Sequence, residues 1–158
     1  MRVYLSLGSN LGNRHEQLLQ AIRTIEERIG RVTDRSALIE TEPWGFLSTH
    51  RFVNAVIAVE TDMTAHALLV ATQDIERKLG RTGKTDNEGY HDRAIDIDIL
   101  LYGEETVDEP SLRIPHPLMT QRLFVIQPLW QIAPHQTIPG TDMTVGQVYE
   151  KLREMENI

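Results

Sequence analysis

The stretch RAIDIDILLYG, residues 93 to 103, limits the fold of this chain more than any other. Ile95, Ile97, Ile99, Leu100 and Leu101 give it the β-branched, apolar character of a strand, yet Asp96 and Asp98 sit two apart inside it. Side chains alternate faces along a strand. Both carboxylates must therefore point one way while Ile95, Ile97 and Ile99 point into a core on the other side. A chain with such a strand needs a sheet with one apolar face and one face that can receive two neighbouring negative charges.

The rest of the chain supplies partners for that strand. VYLSLG, residues 3 to 8, alternates Val3, Leu5 and Leu7 against Tyr4, Ser6 and Gly8 and reads as a first strand. Leu18, Ile22, Ile25 and Ile29 recur at helical spacing, with Asn13 placed to cap the start and Gly30 the end. Residues 32 to 41 alternate weakly as a second strand, and FVNAVIAVE, residues 52 to 60, is a strongly apolar third that is expected to be central. Thr64 can cap a second helix with Leu68, Ala71, Ile75 and Leu79 on its buried stripe and Gly80 at its end. The strand with the aspartates is fourth. Residues 111 to 140 read as prolines and less regular structure around LFVIQPLW, and Val145, Val148, Leu152 and Met155 mark a closing helix.

This order, β-α-β-β-α-β plus a C-terminal extension, predicts an α+β, ferredoxin-like fold: an antiparallel sheet with helices, in which the first strand lies between the third and fourth. The ends of strands one and two and the starts of strands three and four then share one edge of the sheet. Gly8, Ser9, Asn10, Thr41, Phe52, Asn54, Asp96 and Asp98 would gather there. With 158 residues and 41% hydrophobic content, a single domain spanning 1–158 is expected.

Composition narrows the function. No apolar run is long enough to cross a bilayer, and MRVYLSLGSN lacks the long apolar region of a signal peptide, so a cytoplasmic protein with no membrane partner is expected. The absence of cysteine removes disulfides and thiolate metal sites. A net charge of -7 argues against a nucleic-acid partner while leaving room for a local basic pocket around a small anion.

Several local groups carry chemistry. Paired carboxylates on one strand face suit Mg²⁺, which prefers oxygen ligands and is often held by one or two aspartates plus substrate phosphates; the plain alternative is a solvated edge strand. Asn54, an amide amid Phe52, Val53, Ala55, Val56 and Ile57, can donate to and accept from the edge of a polar heterocycle, or bond within the protein. GSNLGN, residues 8 to 13, is a strand-to-helix turn and matches neither the P-loop nor the dinucleotide pattern. RTGKTDNEGYHDR, residues 81 to 93, carries glycines and mixed charge and few aliphatics, the composition of a mobile lid or of a solvated loop. His116 has no histidine partner at helical spacing, which argues against zinc.

LGSNLG, TEPWG, FVNAV, DRAIDIDILLYG and IPHP occur in this order, and together they resemble the 6-hydroxymethyl-7,8-dihydropterin pyrophosphokinases of folate biosynthesis over nearly the whole chain. The resemblance implies a ferredoxin-like enzyme that moves the terminal pyrophosphate of ATP to the pterin hydroxymethyl group and releases AMP. It implies two Mg²⁺ ions on Asp96 and Asp98, with Arg81 and Arg93 sharing the catalytic work. The implied pterin site is Gly8, Thr41, Glu42, Trp44, Phe52, Asn54 and Phe124, with Phe52 and Phe124 sandwiching the ring. The implied ATP site is Gln73, Glu76, Arg81, Lys84, Arg93, Ile99, His116 and Arg122. A monomer is expected, whose partners are ATP and the pterin.

The chain departs from the family pattern in one loop and at Ser111, where some relatives place a basic residue. KTDNEGYHDR stands where many members have a further basic pair and W-G-P-R, so Lys84 and Tyr90 occupy the places of an arginine and the tryptophan. Two other readings of the same residues are a Mg²⁺-dependent phosphoryl or nucleotidyl transferase acting on another flat heterocycle, and a non-catalytic ligand-sensing domain of the same fold.

Overall fold

The computed structural model describes residues 1–10, 12–41, 52–80 and 94–156. In chain order it contains β1 (Arg2–Ser9), α1 (Arg14–Arg28), β2 (Arg31–Arg35), β3 (Ile39–Thr41), β4 (Phe52–Glu60), α2 (Ala65–Leu79), β5 (Asp96–Tyr102), β6 (Val107–Glu109), β7 (Leu112–Ile114), α3 (Leu123–Ile132) and α4 (Val145–Glu156). The main sheet runs β2-β4-β1-β5, with β3 also paired to β4, and every pairing is antiparallel. β1 therefore lies between β4 and β5, the arrangement expected from the order of elements.

Local chemistry sets the helix ends. The Asn13 side chain accepts from the Glu16 N–H at 3.2 Å and starts α1, and the Thr64 hydroxyl accepts from the Ala67 N–H at 3.1 Å and starts α2. At the far end of α1 the Gly30 N–H returns to the Ile25 carbonyl at 3.2 Å. A Cβ on Gly30 would stand 2.0 Å from the Glu60 carbonyl oxygen, so only glycine lets the chain pass β4 so closely.

The two faces of the sheet carry separate apolar layers. Val3, Leu5 and Leu7 of β1, with Ile95, Ile97 and Ile99 at β5, pack against Leu18 and Ile25 of α1 and Leu68 and Ile75 of α2. The second layer joins Tyr4, Val56, Ala58, Leu100 and Leu101 to Val125, Ile126 and Leu129 of α3 and Val145 and Val148 of α4. α3 and α4 are held together by a stacked pair, Trp130 on Tyr149, at 4.2 Å between ring centroids.

Strand β5 serves both layers through a bulge. Leu5 pairs with Ile99 and Tyr4 with Leu101, so Leu100 is an extra residue. Beyond it Leu101 joins the α3/α4 layer, and Tyr102 returns to the α1/α2 layer, where its hydroxyl donates to the Met63 carbonyl at 2.5 Å.

Three expectations are corrected. The second strand is two short strands, β2 and β3, meeting different parts of β4. LFVIQPLW is helical rather than irregular: Pro128 inside α3 removes one backbone hydrogen bond at about 3 kcal/mol, but burial of Val125, Ile126 and Leu129 at about 2 kcal/mol each outweighs it. Met155 follows the apolar spacing of α4 yet is 63% exposed, because the layer beneath α4 ends before the last turn.

Candidate active site

The register of three strands turns scattered residues into a grid on the face opposite α1 and α2. Gly8 of β1 pairs with Asn54 of β4 on one side and Asp96 of β5 on the other. One step inward, Ser6 pairs with Val56 and with Asp98. One step further, Tyr4 and Ala58 already lie under α3 and α4. The C-terminal extension thus covers the inner part of this face and leaves the row of Asn54, Gly8 and Asp96 at its margin. Asp96 and Asp98 are half-buried there, while Ile95, Ile97 and Ile99 are buried behind them.

The β4 side of the site brings together an amide, two aromatic rings and a bare glycine. The Asn54 Nδ2 donates to the Thr41 hydroxyl at 2.6 Å, which turns the acceptor Oδ1 towards Gly8. A Cβ on Gly8 would meet that Oδ1 at 3.0 Å and the Phe52 ring at 3.5 Å, so the glycine is what lets the amide and the ring come this close to β1. Phe52 rises from the first position of β4, and Phe124 stands at the start of α3 with the Arg122 guanidinium 5.7 Å from its ring centroid.

The β5 side concentrates charge. The Ile97 N–H points away from β1 and donates to the Glu76 carboxylate of α2 at 2.7 Å. By the two-residue period of a strand, the Ile99 main-chain groups point to that same outer edge, although its side chain lies in the α1/α2 layer. Burial, and then the charges of Asp96 and Asp98, push the Glu76 carboxyl up to about 8, against the opposing pull of the Ile97 N–H. His116 is held below its usual range, first by burial and then by the Arg122 charge, with Asp96 acting the other way. Its Nδ1 accepts from the Leu118 N–H at 3.2 Å, which places the proton of the neutral ring on Nε2.

The donor set fits a hard cation. Two carboxylates project side by side, and their combined charge already acts on Glu76. Among the described residues no group of three or more histidine or acidic side chains is arranged to hold a metal unaided. A cation here would take its remaining ligands from phosphate and water, the usual situation of Mg²⁺.

Of the residues singled out in the sequence, the fold brings Gly8, Thr41, Phe52, Asn54, Asp96 and Asp98 to one end of one sheet face, with Glu76, His116, Arg122 and Phe124 around it. Gln73 is exposed on α2. Glu42, Trp44, Arg81, Lys84 and Arg93, and with them the loop expected to act as a lid, lie outside the described residues. Ser6 was not singled out. Its place beside Asp98 depends on the β1–β5 register, which the alternation of either strand alone does not fix.

Residues 4–134 match the family model described as 7,8-dihydro-6-hydroxymethylpterin-pyrophosphokinase (HPPK). The chain belongs to this family. A 2-amino-4-hydroxy-6-hydroxymethyldihydropteridine pyrophosphokinase of Porphyromonas gingivalis is 52% identical over 133 residues, which cover 84% of this chain and 90% of that one. The protein of that name from Bacillus subtilis is 38% identical over 130 residues, covering 82% and 76% of the two chains. The Plasmodium falciparum wild-type HPPK-DHPS structure superimposes with a TM-score of 0.78 at 17% identity, over 99% of this chain and 46% of that one. The present chain thus spans a little under half of that longer protein, and at this identity the likeness speaks for the fold. Among the described residues no helix is long and apolar enough to cross a membrane.

Proposed function

We propose that this chain transfers the terminal pyrophosphate of ATP to the hydroxymethyl group of 6-hydroxymethyl-7,8-dihydropterin and releases AMP, the activity for which its relatives are named. The observation that carries the reading is the row of Asn54, Gly8 and Asp96, which sets an amide and a carboxylate on either side of a glycine in the middle strand.

In the reaction the hydroxymethyl oxygen bonds to the β-phosphorus of ATP, the bond from that phosphorus to the oxygen it shares with the α-phosphate breaks, and the hydroxyl proton is lost to solvent. The Asn54 Oδ1, fixed by Thr41, accepts from the N–H edge of the pterin, and Phe52 and Phe124 hold the ring by its faces. Gly8 lets the hydroxymethyl arm lie flat towards β5. Asp96 and Asp98 hold Mg²⁺, two ions in this reading. When bound, the metal neutralises phosphate oxygens and lowers the pKa of the attacking hydroxyl. Arg122 and the Nε2–H of His116 donate to phosphate oxygens, and the outer edge of β5 at Ile99 offers main-chain groups to the adenine. Arg81, Arg93 and Lys84 add charge to the same anion, Glu42 and Trp44 complete the pterin side, and Gln73 and Glu76 the nucleotide side. The protein works in the cytoplasm as a monomer, without nucleic acid.

The test is to supply the purified protein with ATP, Mg²⁺ and hydroxymethyldihydropterin and to identify the nucleotide released. AMP in equal amount to pyrophosphorylated pterin supports the proposal. ADP would make the protein a phosphoryl transferase, and ligand binding without nucleotide turnover would make it a sensing domain.

A further inference from the structure

Ser6 is 7% exposed, and its hydroxyl makes no hydrogen bond within the protein among the described residues. The neighbours of Ser6 leave few candidates for a partner within the protein. Val56 on one side is apolar, Gly8 along the strand has no side chain, and the Tyr4 hydroxyl accepts from Arg2 at 3.1 Å. The remaining direct neighbour on that face is Asp98, the cross-strand partner of Ser6. Residues directly opposed in an antiparallel pair have Cβ atoms about 5 Å apart, so one rotation about the Ser6 Cα–Cβ bond brings its hydroxyl within reach of the carboxylate.

We propose that Ser6 is a positioning residue: its hydroxyl donates to the Asp98 carboxylate in the cation-bound state and fixes the orientation in which that carboxylate meets the metal. This rests on the reading of Asp98 as a cation ligand. A carboxylate has about four lone-pair sites, and a metal ligand usually spends one on a neighbouring donor that holds it still. Tyr4 and Gly8, the other β1 residues on that face, cannot serve. Tyr4 is already under α3 and α4, and Gly8 offers only backbone.

The experiment measures Mn²⁺ binding by the loss of the free-ion electron paramagnetic resonance signal, with a non-hydrolysable ATP analogue present, in the wild type and in Ser6→Ala, Ser6→Thr and Asp98→Ala. Thermal midpoints and pterin affinity are recorded for each. Ser6→Ala is expected to weaken Mn²⁺ binding about tenfold. Ser6→Thr keeps the hydroxyl and should bind Mn²⁺ as the wild type does, and pterin affinity should be unchanged in both. Unchanged Mn²⁺ affinity in Ser6→Ala alongside a large loss in Asp98→Ala overturns the role of Ser6 and leaves the metal assignment standing. Unchanged affinity in Asp98→Ala overturns the metal assignment itself. Equal weakening in Ser6→Ala and Ser6→Thr assigns the effect to packing and also overturns the proposal.

Discussion

At the scale of single residues, the site depends on side chains of opposite character sharing a strand. Asp96 and Asp98 stand on one face of β5 while Ile97 and Ile99 fill the core behind them, so the carboxylates can be removed without disturbing the packing. Asp96→Ala or Asp98→Ala should lower AMP release at least about a thousandfold, about 4 kcal/mol of barrier, with little change in thermal midpoint. Turnover near wild type at saturating Mg²⁺ would refute the assignment. Asn54 is tied on one side to Thr41, leaving its oxygen for the ligand. Calorimetry on Asn54→Ala should show pterin affinity reduced about 10- to 100-fold and ATP affinity unchanged, since a site shaped around a hydrogen bond loses most when one partner goes. Equal losses for both ligands would make Asn54 a structural amide.

At the scale of elements, the C-terminal extension decides how far along the sheet face the second apolar layer reaches. α3 and α4 cover Tyr4, Val56 and Ala58 and stop short of Gly8, and α3 begins at the residues that carry Phe124. Their contact includes the Trp130–Tyr149 stack, in which Tyr149 is only 6% exposed, beside the aliphatic residues of the shared layer. Tyr149→Ala should therefore cost about 3 kcal/mol in urea unfolding. It should weaken pterin binding as well, because Phe124 loses its support. A stability loss that leaves pterin affinity untouched would separate α3 from the binding site.

At the scale of the whole molecule, the two helices behind the sheet are tied by charge. Asp74 of α2 accepts from Arg28 of α1 at 2.6 Å and pairs with Arg77 and Lys78 of its own helix. The Arg28 hydrogen bond, aided by Lys78, lowers the Asp74 carboxyl from 3.8 to about 2. A carboxyl lowered by folding contributes stability above its unfolded pKa and loses it as pH falls through the folded value. The thermal midpoint of Asp74→Asn should thus lie below that of the wild type from pH 7 down to about 4, and the gap should shrink as pH falls towards about 2 and vanish only below it. The pair is partly exposed, so high salt should shrink the difference too. A gap undiminished at pH 2 would point to packing rather than charge.

The sequence by itself determined the alternation of strands and helices in the core from β1 to β5, the caps at Asn13 and Thr64, and the facing of Asp96 and Asp98 away from the isoleucines, because each rests on periodicity or hydrogen bonding within a few residues. The family motifs were equally legible, being short runs of adjacent residues. Only the tertiary structure decided what depends on contacts between distant segments. It split the second strand, since β2 and β3 follow the pairing offered by β4 rather than their own weak alternation. It made a helix around Pro128, where burial outweighs propensity. It also set Ser6 opposite Asp98 and put the Glu76 carboxylate on the Ile97 N–H, since strand register and helix placement are fixed by the packing of the whole sheet and by no local signal.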